Sequence, residues 1–294
     1  MTRRAMRLLA AAVLGSGLLL AAPAAAAAKT ILFVGNSFTY GERSPVRRYH
    51  PERVTDLNGE RIGGVPALFK TFAEEAGLDW TVSLETAGGR DLAFHLDTRL
   101  RLIDKPWDVV VLQGYSTLDA QRPGDPARHV AAAKALAGAF ARANPGVSVR
   151  LVSTWSRADL AYRPGSVWSG KPIALLAEDV AAGNRLAAAT SPRFGTPIPV
   201  GAAWTRAMRA GIADADPYDG VAFGQVDLWT WDHYHASTAG YYLSALVQFG
   251  AITGFDPRKL GATERAADDL GMEPALAVRL QQVAAEELGF STAR

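Results

Sequence analysis

The run Thr30-Ile31-Leu32-Phe33-Val34 is followed at once by Gly35-Asn36-Ser37. Four large apolar side chains in succession leave no polar face to turn toward water, so the run reads as a strand buried on both sides. Strands of that kind belong to parallel sheets covered by helices. Gly35 ends the run with a residue that lets the chain turn tightly. Ser37 is thereby left just past the carboxyl end of the strand, where open parallel sheets collect their ligands.

Outward from this segment, apolar runs alternate with stretches of helical spacing. Strands are expected at Trp80–Glu85, Trp107–Leu112, Val147–Val152 and, as a short fifth strand, Pro197–Val200. Helices are expected at Val65–Ala76, which stops at Gly77, and at Asp91–Ile103, Pro126–Ala143 and Ile173–Ala189. A further helix runs through Met208, and two more are expected at Ala239–Ile252 and Glu273–Glu287. Residues 41–62 mix arginines with acids and read as a polar inserted loop, while 155–170 and 211–235 read as open loops. The alternation predicts an α/β fold, a three-layer α/β/α sandwich around a central, mostly parallel five-stranded sheet. No linker or composition break divides 29–294, which is expected to be a single domain.

The 294 residues are 49% hydrophobic, ample for a large core, and include no cysteine. Disulfides, thiolate metal sites and a cysteine nucleophile are therefore excluded. Residues 1–28 have the make-up of a signal peptide: Arg3, Arg4 and Arg7, then an apolar stretch from Leu8 to Ala22, then small residues to Ala28. Arg3-Arg4 loosely resembles a twin-arginine signal. The protein is expected to be exported, periplasmic or secreted, with no stable membrane insertion once the leader is cleaved. Without the leader, 28 basic residues face 29 acidic ones, so the net charge falls from +2 to −1. That balance argues against nucleic acid as a partner.

Near the other end stands Asp232-His233-Tyr234-His235, leading into a helix; it holds two of only five histidines. A serine nucleophile needs an imidazole to take its proton, and the imidazole needs a carboxylate to fix its tautomer. On a loop entering a helix, a spacing of three can set Asp232 beside His235. Each motif has a plainer reading: Ser37 as an ordinary helix cap, and the tetrapeptide as a polar turn. Asp232, His233 and His235 could also ligate a metal, but zinc catalysis takes about three protein ligands with an open position, and Ser37 would then have no role. No metal and no cofactor are expected.

Taken together, the two motifs resemble those of the SGNH hydrolases, also called GDSL-type esterases. Gly35-Asn36-Ser37 matches the family's Gly-Asp-Ser block with Asn for Asp, and Asp232 with His235 matches its Asp-x-x-His block. The resemblance implies an SGNH, flavodoxin-like fold and a triad of Ser37, Asp232 and His235 that cleaves carboxylic esters. It implies oxyanion donors at the Ser37 and Gly89 backbone N–H groups. A third donor is implied at Gln113, where the family usually carries Asn. The family includes many carbohydrate deacetylases, and aromatics crowd both motif loops. Trp155, Trp231 and Tyr234 are the substrate-binding candidates, with an O-acyl (acetyl) group on a carbohydrate as the expected substrate. The departures at Asn36 and Gln113 keep open the alternative of a non-catalytic glycan-binding module on the same scaffold.

Overall fold

The computed structural model describes residues 28–291, so all but the last residue of the expected leader lies outside the described residues. The sheet has five strands, β1 (Lys29–Gly35), β2 (Thr55–Asp56), β3 (Trp80–Thr86), β4 (Val109–Leu112) and β5 (Ser148–Leu151). They lie in the order β2-β3-β1-β4-β5, and every pairing is parallel.

Successive side chains of β1 point to opposite faces, which explains why the run has no polar position. Ile31 and Phe33 enter the core beneath the Gly64–Glu75 and Thr238–Thr253 helices, where Phe33 meets Phe69 and Phe69 meets Phe249. Leu32 and Val34 enter the opposite core with Leu136 and Phe140 of the Ala127–Ala143 helix. All four are at most 1% exposed. Each contributes roughly 1.5–3 kcal/mol by burial, so β1 is a poor place for a polar substitution.

The fifth strand is not the one expected. That segment turns into the Val200–Arg209 helix and meets the sheet through an isolated bridge between Ile198 and Val152, in which Ile198 donates to the Leu151 carbonyl and accepts from the Ser153 N–H. The fifth strand is instead β2, inside the 41–62 stretch read as a loop. Two residues are too short to show a period. Asp56 secures the turn that follows by accepting N–H groups from Asn58, Glu60 and Ile62. The stretch also forms two 3₁₀ turns, Pro45–Arg48 and Pro51–Arg53, and buries Val46, Tyr49 and Ile62. The expected Asp91–Ile103 helix is broken by a π-helical turn at His95–Arg99, which takes the His95 ring into the interior beside Glu85.

From β1 the chain builds one side of the sheet through β2 and β3, then crosses to build the other through β4 and β5. The carboxyl end of β1 is therefore the topological switch point, the place where such a sheet opens a crevice. Ser37 sits there.

Candidate active site

The turn that carries Ser37 is fixed from three directions. A Cβ on Gly35 would lie 2.2 Å from Thr39 Oγ1 and 2.8 Å from Gln113 Oε1, so the position has room only for glycine. Asn36 Oδ1 accepts the Phe38 N–H and caps the one-turn Ser37–Tyr40 helix. Its Nδ2 donates to the Arg90 carbonyl at 3.0 Å and the Gly114 carbonyl at 3.2 Å, tying together the loops after β1, β3 and β4. An aspartate could not make those two donations at neutral pH, so Asn36 is a built feature of this turn.

Gln113 is anchored in the same knot. Its Oε1 accepts from the Asn36 N–H at 2.9 Å and from Thr39 Oγ1 at 3.1 Å, and its Nε2 donates to the Gly114 carbonyl. These bonds make it a clamp on the turn, with one of its two N–H groups left over. The Ser37 and Gly89 N–H groups have no acceptor among the described residues. Gly89 adopts φ +67°, a left-handed conformation that glycine tolerates without strain.

The Asp-x-x-His loop is folded around its carboxylate. Asp232 Oδ1 accepts from Thr230 Oγ1 (2.8 Å), the Tyr234 N–H (3.0 Å) and the His235 N–H (2.9 Å). Asp232 Oδ2 accepts from His235 Nδ1 at 2.7 Å, which assigns the ring proton to Nδ1 and leaves Nε2 as the acceptor. Burial alone would raise the Asp232 pKa, but the bonds from His235, Thr230 and Tyr234 outweigh it and hold the group at about 2.

Several contacts join this loop to the Ser37 segment, although the two are far apart in the chain. The Tyr241 hydroxyl lies 3.1 Å from the Ser37 carbonyl and 3.2 Å from that of Glu42. Arg43 Nε lies 2.8 Å from Asp232 Oδ2. The ring of Phe38, the residue after Ser37, packs edge-on to the His235 ring at 5.9 Å. Ser37 and His235 are 5% and 8% exposed, at one rim of the sheet. Neither Ser37 Oγ nor His235 Nε2 makes a hydrogen bond among the described residues, and bonds of this kind often close only when a substrate is seated.

Among the aromatic candidates Trp155 needs correction. It is 1% exposed and stacked between Phe38 (4.0 Å) and Trp204 (4.8 Å), so it cannot touch a substrate. Its indole N–H donates to the Tyr234 carbonyl, making it a brace between the Ser37 helix and the His235 loop. Tyr234 is partly buried, its ring 4.1 Å from that of His235 and 3.6 Å from the Arg157 guanidinium. Trp231 is 72% exposed beside Asp232 and offers an open aromatic face.

His233 turns away from this machinery. It takes φ +54° and packs against Tyr218 at 4.2 Å. The remaining histidines are paired elsewhere, His50 with Glu52 and Asp269, His95 with Glu85, and His129 with Asn184. Among the described residues, no group of three or more His, Asp or Glu side chains is placed to hold a metal ion. Two contributors escaped the sequence reading. Arg43 stood in a stretch of mixed charges that looked like a solvated loop, and Tyr241 was one more aromatic on a buried helix.

Solved structures agree with the architecture. A DUF4886 family protein from Bacteroides uniformis matches at TM-score 0.63 and 18% identity, over 89% of this chain and 95% of its own. A candidate GDSL-like lipase from Parabacteroides merdae matches at TM-score 0.53 and 18% identity, over 77% and 95%. An acetyl xylan esterase matches at TM-score 0.50 and 14% identity, over 76% and 99%. No family model matches the sequence, and no curated protein matches it. The chain shares the fold of these structures, that of the SGNH hydrolases; one of them is described as a GDSL-like lipase and another as an acetyl xylan esterase.

Proposed function

We propose that the protein is an exported serine esterase that removes an O-acyl group, acetyl foremost, from a carbohydrate. The observation that carries the reading is the Asp232–His235 pair, anchored at the switch point against the segment that bears Ser37. His235 Nε2 takes the Ser37 proton as Ser37 Oγ attacks the ester carbonyl. The Ser37 and Gly89 N–H groups face the developing oxyanion, with the remaining Gln113 N–H as the third donor. His235 then protonates the leaving alcohol, and a water deprotonated by the same ring releases the acid. No step calls on a metal or cofactor.

Trp231 supplies a face on which a sugar ring can dock, and the acetyl xylan esterase with this fold is named for an acetylated polysaccharide. The leader composition supports export.

Turnover of a short-chain chromogenic ester and of an acetylated oligosaccharide tests the reading. Ser37→Ala and His235→Ala should each lower kcat/KM by roughly 10⁴-fold or more, while His233→Ala stays within about tenfold of wild type. A Ser37→Ala variant as active as wild type would remove the serine mechanism. The glycan-binding alternative draws on the exposed Trp231. It would show as sugar binding, lost in Trp231→Ala, by a protein with no turnover.

A further inference from the structure

Arg43 leaves the turn after the Ser37–Tyr40 helix and reaches the loop that carries the proposed base. Its Nε approaches Asp232 Oδ2 at 2.8 Å, and the same oxygen accepts His235 Nδ1 at 2.7 Å. The other oxygen, Oδ1, is already occupied by Thr230, Tyr234 and His235 backbone or hydroxyl donors. Arg43 and the imidazole therefore meet at one oxygen, the imidazole through a hydrogen bond and Arg43 as an ion pair. On its other side the Arg43 guanidinium lies 4.5 Å from the ring centroid of the exposed Trp231, within cation–π range.

The placement is built. Arg43 holds φ +61°, a left-handed backbone that costs a residue with a side chain. Its neighbours are tied down, Glu42 through its carbonyl to the Tyr241 hydroxyl and Ser44 through its hydroxyl to Thr238. The Arg43 side chain is 40% exposed, and its guanidinium donates no hydrogen bond among the described residues.

We propose that Arg43 is a positioning residue that couples the triad carboxylate to the Trp231 platform, so that a sugar seated on Trp231 fixes the geometry of Asp232 and hence of His235. The inference rests on the serine-esterase reading of the site. A cation on the shared oxygen draws down the carboxylate's hold on an imidazolium, keeping the ring available as a base. The other charged or titratable groups around His235 are Tyr234 on its own loop, with Arg157 over that ring and Asp159 paired to Arg157; Tyr241, from the helix behind, turns its hydroxyl to the Ser37 and Glu42 carbonyls. Glu42 is turned to Arg47, and Phe38 presents an apolar edge. Among the described residues, Arg43 is thus the cation in direct contact with the pair.

Arg43→Gln and Arg43→Lys separate this role from a structural one. In Arg43→Gln the charge is gone, and the NMR titration midpoint of the His235 ring should rise by roughly half a pH unit to one unit, as expected for a partly exposed charge. The acidic limb of kcat/KM should move to higher pH by the same amount. Arg43→Lys keeps the charge but not the planar group that spans Asp232 and the Trp231 ring. It should therefore keep the wild-type limb while kcat/KM for the acetylated oligosaccharide falls several-fold further than for the small chromogenic ester; an equal fall on both substrates would overturn the coupling. A His235 midpoint that stays or falls in Arg43→Gln would overturn the proposal, because simple loss of Asp232 alignment moves it down. The ring titration is read without turnover, so a protein in which Ser37→Ala changes nothing would refute the esterase reading separately.

Discussion

The Asp232 carboxylate organises the backbone of its loop through one oxygen and orients the His235 ring through the other. Its pKa, held at about 2, lies below the ordinary carboxylate value near 3.9 that it regains on unfolding. The stability this difference contributes is fully present above about pH 4 and is lost as pH falls toward 2. For a side chain only 14% exposed the contribution is on the order of 2 kcal/mol. Asp232→Asn should therefore unfold at lower urea concentration than wild type at pH 7. The gap should shrink steadily between pH 4 and pH 2.5; a gap independent of pH would show that the carboxylate's charge does not hold the loop. At this scale the sequence was informative where residue type and spacing fix the chemistry, as in Asp-x-x-His. It offered Arg43 only as part of a solvated basic loop or as a binder of an acidic substrate, since the contact with Asp232 comes from a backbone turn and a partner far along the chain.

Trp155 shows how an element rather than a residue sets the site. A Phe38–Trp155–Trp204 stack locks the one-turn Ser37–Tyr40 helix against the 234–235 loop and the Val200–Arg209 helix. Trp155→Ala should cost about 3–5 kcal/mol in chemical denaturation and lower kcat for small and large esters alike. A KM effect confined to carbohydrate esters, with stability unchanged, would restore Trp155 as a substrate platform. Long apolar runs and amphipathic helices were legible because burial on one or two faces leaves a period in the sequence. Thr55–Asp56 left none, since a two-residue edge strand is held by pairing to β3 and by the Asp56 turn. Pro197–Val200 misled in the opposite sense: the segment has a strand's apolar character, but the Val200–Arg209 helix begins two residues after its bridge at Ile198.

The whole molecule places its chemistry by topology. Building the sheet outward from β1 in two directions puts the first strand at the centre and opens a crevice at its carboxyl end. The Thr238–Thr253 helix then delivers the His235 loop to the same rim from the far end of the sequence, with Tyr241 as the fastening. That convergence was legible in outline, because β1 ends on Gly35-Asn36-Ser37 and the late helix begins just after Asp232–His235. The knot among Asn36, Gln113, Arg90 and Gly114 was not, since it joins three loops that no local pattern connects. The account turns on one alcohol made nucleophilic by one imidazole. Reaction with a fluorophosphonate followed by peptide mapping reads this directly. Wild type should carry a single phosphonyl adduct on Ser37, absent in Ser37→Ala and strongly slowed in His235→Ala. An unlabelled wild-type protein, or an adduct that persists when Ser37 is alanine, would contradict it.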